Sequence, residues 1–167
     1  MKVRLGKPGD KRCKDKIQID SWDTWSMDMT LAKIILPMLV QLKETKHGTP
    51  CCMPIYDEHP NLFDGSSMTD EEYDRLLGIA EQQWDEILDK MIWSFTQLNL
   101  EDNGEGPFWI QHPELDLDDY PEDEGKTAIP IRWKVPGEFD MEGMKAHRIK
   151  VQEGLELFGK YFQNLWD

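Results

Sequence analysis

The sequence predicts a mainly α protein: three long amphipathic helices packed as a bundle, with a small β-hairpin and acidic loop inserted between the second and third. Three observations predict it. Apolar side chains recur at helical spacing over three long stretches, starting near Met27, Tyr73 and Met144. Most prolines and many of the glycines fall outside those stretches, at 48–68 and 99–139. An apolar content of 39% with seven Trp, six Phe and four Tyr in 167 residues is material for one core, not for a disordered chain. A single helical domain over 1–167 is therefore expected, with a basic arm at 1–18, a loop at 48–68 and a loop and hairpin insertion at 99–139.

Residues 1–18 read as a partly extended basic arm with a turn signal at Lys7-Pro8-Gly9-Asp10. The first helix is expected to start between Asp20 and Ser26, with carboxylates in its positive first turn. Met27, Leu31, Ile34, Ile35, Met38, Leu39 and Leu42 fall on one helical face. Pro37 removes a backbone donor and predicts a kink near Lys33. Trp22, Trp25 and Met27 are expected to pin this helix start against the other two helices. Lys43 and Lys46 suit its negative end, and Gly48 before Pro50 its termination.

The prolines at 50, 54 and 60 and Gly65 make 48–68 a loop. The second helix opens on Thr69-Asp70-Glu71-Glu72, a capping-box pattern. Its stripe is Tyr73, Leu76, Leu77, Ala80, Trp84, Ile87, Leu88, Met91, Phe95 and Leu98. In the insertion, Phe108 to Ile110 and the alternating Ile129 to Val135 read as strands, the latter confined by Pro130 to an edge or a strand start. The third helix starts near Asp140 and runs to the end along Met144, His147, Val151, Leu155, Phe158, Phe162 and Leu165. Gly154 beside that stripe costs about 1 kcal/mol of helix propensity, which points to a backbone crossing closely there.

The net charge of −14 is unevenly distributed. Residues 1–16 hold seven Lys/Arg against Asp10 and Asp15, while residues 101–124 hold ten Asp/Glu and no Lys or Arg. A negative body argues against direct nucleic-acid binding. No apolar run approaches the ~18 residues of a membrane span, and no apolar leader segment precedes the first helix. Three cysteines, with Cys51 and Cys52 adjacent, make a poor disulfide framework and suit a reducing cytoplasm.

Asp20-Ser21-Trp22-Asp23-Thr24-Trp25-Ser26-Met27-Asp28 has the greatest density of chemistry-bearing residues. Carboxylates three apart, as in Asp20/Asp23 and Glu86/Asp89, are the spacing with which helical enzymes that cleave nucleoside triphosphates hold Mg²⁺. A Mg²⁺-dependent nucleotide hydrolase would use Asp23, Asp28, Glu86 and Asp89. Solvated helix faces account for the same spacing more often. His47, Cys51, Cys52 and His59 are zinc-ligand types without zinc spacing, so no metal site is expected there. His147 on the third stripe is ordinarily a buried, hydrogen-bonded histidine, or else an acid–base partner of the 20–28 carboxylates. Trp133 between Arg132 and Lys134 can stack a base or anchor an interface.

The strings Trp22-Asp23-Thr24-Trp25-Ser26-Met27-Asp28, Thr30-Leu31-Ala32, Pro37-Met38-Leu39 and Leu42-Lys43-Glu44-Thr45-Lys46-His47-Gly48 resemble a family of uncharacterised proteins encoded by tailed bacteriophages. Met91-Ile92-Trp93 and the tail Leu157-Phe158-Gly159-Lys160-Tyr161-Phe162 to Leu165-Trp166-Asp167 resemble the same family. The resemblance covers the three helices, about half the chain. It implies a phage origin and residence in the host bacterial cytoplasm, and it supplies no activity.

Together these readings favour a non-enzymatic phage accessory protein that sequesters a nucleotide-derived ligand to counter host defence, with no cofactor. Its expected ligand set is Trp22, Asp23, Trp25, Asp28, Lys46, His47, Arg132, Trp133, Lys134, His147 and Arg148. The alternatives are an acidic inhibitor of a host or defence protein using 101–124 as a nucleic-acid mimic, the Mg²⁺-dependent hydrolase, and a virion or assembly protein. Tyr161, Phe162 and Trp166, read as exposed edge aromatics, would support a homodimer.

Overall fold

The computed structural model describes residues 2–4, 16–102, 104–116 and 133–166. Most of the basic arm, Ile129 to Arg132 of the expected second strand, and acidic residues 118–124 lie outside the described residues. Within them the chain is mainly helical, with short antiparallel strand pairs. No helix among the described residues is long and apolar enough to cross a membrane.

β1 (Lys2–Arg4) pairs antiparallel with β2 (Lys16–Gln18). The expected first helix is two pieces, α1 (Ser21–Trp25) and α2 (Met27–Thr45), separated at Ser26, whose backbone is not helical. A capping box starts α1: the Asp20 carboxylate accepts from Trp22 N–H at 3.2 Å, and Asp20 N–H donates to the Asp23 carboxylate at 2.7 Å. α2 continues through Pro37 to Thr45.

The segment 48–68 is not the loop its composition suggests. It forms α3 (Pro54–Glu58) and a 3₁₀ turn at Pro60–Phe63. Pro54 and Pro60 both occupy the first turn, where a missing N–H costs nothing, so residues read as breakers act as helix starters. Met53, Ile55 and Leu62 are fully buried there, in one cluster with Leu39, Leu76, Ala80, Trp84, Leu88 and Tyr161.

α4 (Asp70–Leu98) is the spine, and its expected stripe is the core: Leu76, Ala80, Trp84, Leu88, Met91 and Phe95 are buried. The Thr69 hydroxyl accepts from Glu72 N–H at 3.2 Å as expected. α2 runs antiparallel along α4: Asn99 donates to the Ala32 carbonyl at one end, and Lys43 and Lys46 pair with Asp89 and Asp85 at the other. α5 (Met141–Tyr161) is also antiparallel to α4, from His147 beside Trp93 to Tyr161 against Trp84. α2 and α5 share no comparable packing with each other.

Between α4 and α5, β3 (Trp109–Gln111) pairs with β6 (Glu138–Phe139), and β4 (Glu114–Leu115) pairs with β5 (Trp133–Val135). The two antiparallel pairs are nested, with Trp109 opposite Phe139 and Leu115 opposite Trp133. α5 stops at Tyr161 and a 3₁₀ turn (Phe162–Asn164) follows, so the third helix does not reach the end as expected.

Two expectations about burial are corrected. Trp22, Trp25 and Met27 do not pin the start of α2 but are exposed, as are Leu31, Ile34 and Met38 of the predicted stripe. α2 packs through Ala32 and Leu39, with Ile35, Leu36 and Leu42 partly covered; one neighbouring helix cannot cover so wide an apolar arc. Tyr161 is 1% exposed rather than an edge aromatic, its ring edge-on to Trp84 at 5.4 Å.

Candidate functional site

A concave site lies where the end of α2, the start of the 48–51 segment, the middle of α4 and the C-terminal turn meet. It encloses about 380 Å³ and is lined by His47, Gly48, Thr49, Pro50, Cys51, Trp84, Asn164 and Trp166. Each wall has a local cause. Lys46 N–H makes the last i→i−4 bond of α2, to the Leu42 carbonyl at 2.8 Å, and the extended Lys46 backbone (ψ 141°) then turns His47 and Gly48 out of the helix. Thr49 is fixed by a 2.8 Å hydroxyl contact with Tyr56, and Cys52 donates to the Asn164 side-chain carbonyl at 3.3 Å. Trp84 is core, held edge-on by Tyr161, and Trp166 stands exposed at the rim. The lining joins two indoles and a proline to an imidazole, a hydroxyl, an amide and a thiol. That is the make-up of a pocket for a small, flat, polar-edged molecule. Among its described lining residues no Lys or Arg is present, and neighbouring Lys46 is paired with Asp85 at 3.3 Å.

Protein-family models, curated proteins and solved structures all fail to align with this chain. The reading of the pocket therefore stands on its own residues.

The expected ligand set is dispersed rather than gathered. Trp22, Asp23 and Trp25 sit on α1 and Asp28 in the first turn of α2. Lys46 and His47 follow the other end of α2, a 19-residue helix, which at 1.5 Å per residue separates the two groups by about 28 Å. Trp133 and Lys134 are exposed on β5, and Arg132 lies outside the described residues. His147 is half-buried between Trp93 and Phe108, with ring centroids at 5.4 and 5.3 Å. Arg148 pairs with Glu105 at 2.6 Å, and Lys150 lies 3.9 Å over the Trp93 ring. His147 is thus packed among aromatic rings on the first turns of α5. Of the ten that are described, only His47 lines the pocket, with Lys46 adjacent.

The carboxylates of the hydrolase arrangement are not brought together. Asp89 pairs with Lys43 and Glu86 accepts from Gln82, both near the C-terminal end of α2. Asp23 and Asp28 lie at its N-terminal end, about 22 Å away along the helix. The antiparallel packing of α2 on α4 dictates this separation. Among the described residues no group of three or more His, Cys, Asp or Glu is placed to hold a metal ion.

A larger groove of about 800 Å³ follows α5. All its described lining, from Met141 to Glu156, belongs to that one helix, so it has a floor and no opposing described wall. Of the acidic segment, Glu105 is engaged with Arg148, and Asp102 accepts from Gly104 N–H at 2.9 Å. Sequence reasoning missed Thr49 and Asn164 because they carry no motif. The available signal was Trp166, an indole beyond the third stripe.

Proposed function

We propose that this chain is a phage-encoded, non-enzymatic binding protein of the host cytoplasm that sequesters a nucleotide-derived ligand. In this reading its scaffold is a three-helix bundle with a hairpin insertion. The observation that supports it is the pocket between His47–Cys51, Trp84 and Asn164–Trp166. An indole at the rim suits one face of a nucleobase, and base–aromatic stacking is sequence-tolerant and worth ~1–3 kcal/mol. Thr49, Asn164 and His47 supply donors and acceptors for a polar ring edge. With Lys46 tied to Asp85 and a net charge of −14, the pocket favours a ligand of low negative charge over a polyphosphate.

Calorimetry and tryptophan fluorescence against nucleosides, cyclic nucleotides, ADP-ribose-type nucleotides and triphosphates test this reading. The expected result is saturable binding by one of the weakly charged compounds and weaker binding by the matching triphosphate. Absence of heat and of fluorescence change with all of them removes it.

A further inference from the structure

We propose that the exposed face of α1 and α2 is a self-association surface, on which a second copy of this chain packs with its α2 antiparallel to the first. This is independent of the pocket reading. Met27, Leu31, Ile34, Met38, Gln41 and Thr45 follow one another at spacings of four, three, four, three and four residues. That is the seam of a helix that packs against another helix, and none of the six is charged. This face is not the one turned to α4. Ala32 and Leu39 are buried on that side, whereas Met27, Leu31, Ile34 and Met38 remain exposed. At the head of the stripe, Trp22 and Trp25 stand in mutual contact with ring centroids at 6.1 Å.

The exposed area decides for a partner. The fractional exposures run from 36% at Ile34 to 82% at Trp25. Over Trp22, Trp25, Met27, Leu31, Ile34 and Met38 together this amounts to roughly 800 Å², more than a monomer's usual largest apolar patch and about what each partner contributes to a stable interface. A second copy satisfies it because the seam is complementary to itself about a two-fold axis. Charge selects the direction. Asp20 and Asp28 lie at the N-terminal end, so parallel packing would bring two pairs of carboxylates together. Antiparallel packing sets them against uncharged Gln41 and Thr45 and aligns the helix dipoles favourably. An antiparallel seam with Leu31 against Met38 of the partner subunit places Ile34 beside its own copy, near the axis.

Sedimentation equilibrium of the whole chain, without added ligand, tests the proposal together with cysteine cross-linking. The expected result is a dimer at micromolar concentration whose dissociation constant rises by about 100-fold or more in Met38→Glu, with the helical circular dichroism unchanged. In a chain with Cys13, Cys51 and Cys52 replaced by Ser, Ile34→Cys is expected to cross-link to itself under mild oxidation, while Met27→Cys is not. Efficient Met27→Cys cross-linking would overturn the antiparallel arrangement. A chain that stays monomeric at about 100 µM, or a dimer that Met38→Glu leaves intact, overturns the proposal and leaves the face to a foreign partner.

Discussion

Gly154 of α5 lies directly against Ser94 of α4. A β-carbon at position 154 would stand 2.6 Å from the Ser94 β-carbon and 2.6 Å from the Lys90 carbonyl oxygen. Ser94 is itself fully buried, its hydroxyl reaching the Lys150 carbonyl at 3.4 Å. The two residues set how closely α4 and α5 approach.

Gly154→Ala is therefore expected to lower stability although alanine is the better helix former. Propensity favours it by ~1 kcal/mol, while overpacking at a backbone contact costs ~1–3 kcal/mol and separates the helices. Thermal unfolding should show a net fall in Tm, partly recovered in the double variant Gly154→Ala/Ser94→Gly. A raised Tm for the single variant would mean that the approach is looser than the geometry implies.

Leu62→Ala tests whether the 48–68 segment is part of the core. Leu62 is 1% exposed among Leu39, Leu76 and Trp84, so truncation should cost ~2–5 kcal/mol in urea unfolding. Phe63, the next residue, is exposed, and Phe63→Ala should cost under ~0.5 kcal/mol.

The pocket predicts paired effects on a bound ligand. Trp166→Ala should weaken binding by about 5- to 100-fold while leaving Tm nearly unchanged, because that indole is exposed. In a chain carrying Cys13→Ser and Cys52→Ser, alkylation of Cys51 by iodoacetamide should slow when the pocket is saturated. Unaltered alkylation at saturation would place the ligand elsewhere.

The turn that feeds α4 carries a pH signature. The Ser66 backbone N–H, bound at 2.8 Å, and then the Ser66 hydroxyl hold the Asp64 carboxyl below the usual carboxylate range. A lowered folded pKa stabilises the protein above the unfolded pKa, and that stabilisation is lost as pH falls through the folded value. The Tm difference between the native chain and Asp64→Ala should persist at neutral pH and shrink below about pH 4. A difference that is constant down to pH 2 would refute the assignment.

What the sequence made legible follows from what periodicity measures. The α4 stripe from Leu76 to Phe95 was readable because a central helix buries nearly all of its apolar face. The α2 stripe was equally regular and yet half of it is exposed, since spacing reports apolar character and not which neighbour covers it. Pro54 and Pro60 misled because proline is costly in a helix interior but well suited to a helix's first turn. The crossing at Gly154 was legible because a glycine in a helix needs a reason. The pocket was not, because His47 and Asn164 meet across more than a hundred residues and neither belongs to a motif.

The nested ladder of β3 with β6 and β4 with β5 has a consequence for how this chain tolerates change. Its pairing holds Trp109 against Phe139 and Leu115 against Trp133, so the described stretches after α4 and before α5 are fastened to each other as well as to the helices they adjoin. Damage to one pair should therefore stay local: Trp133→Pro, which removes a backbone donor, is expected to open β4 and β5 and to leave the helical circular dichroism unchanged.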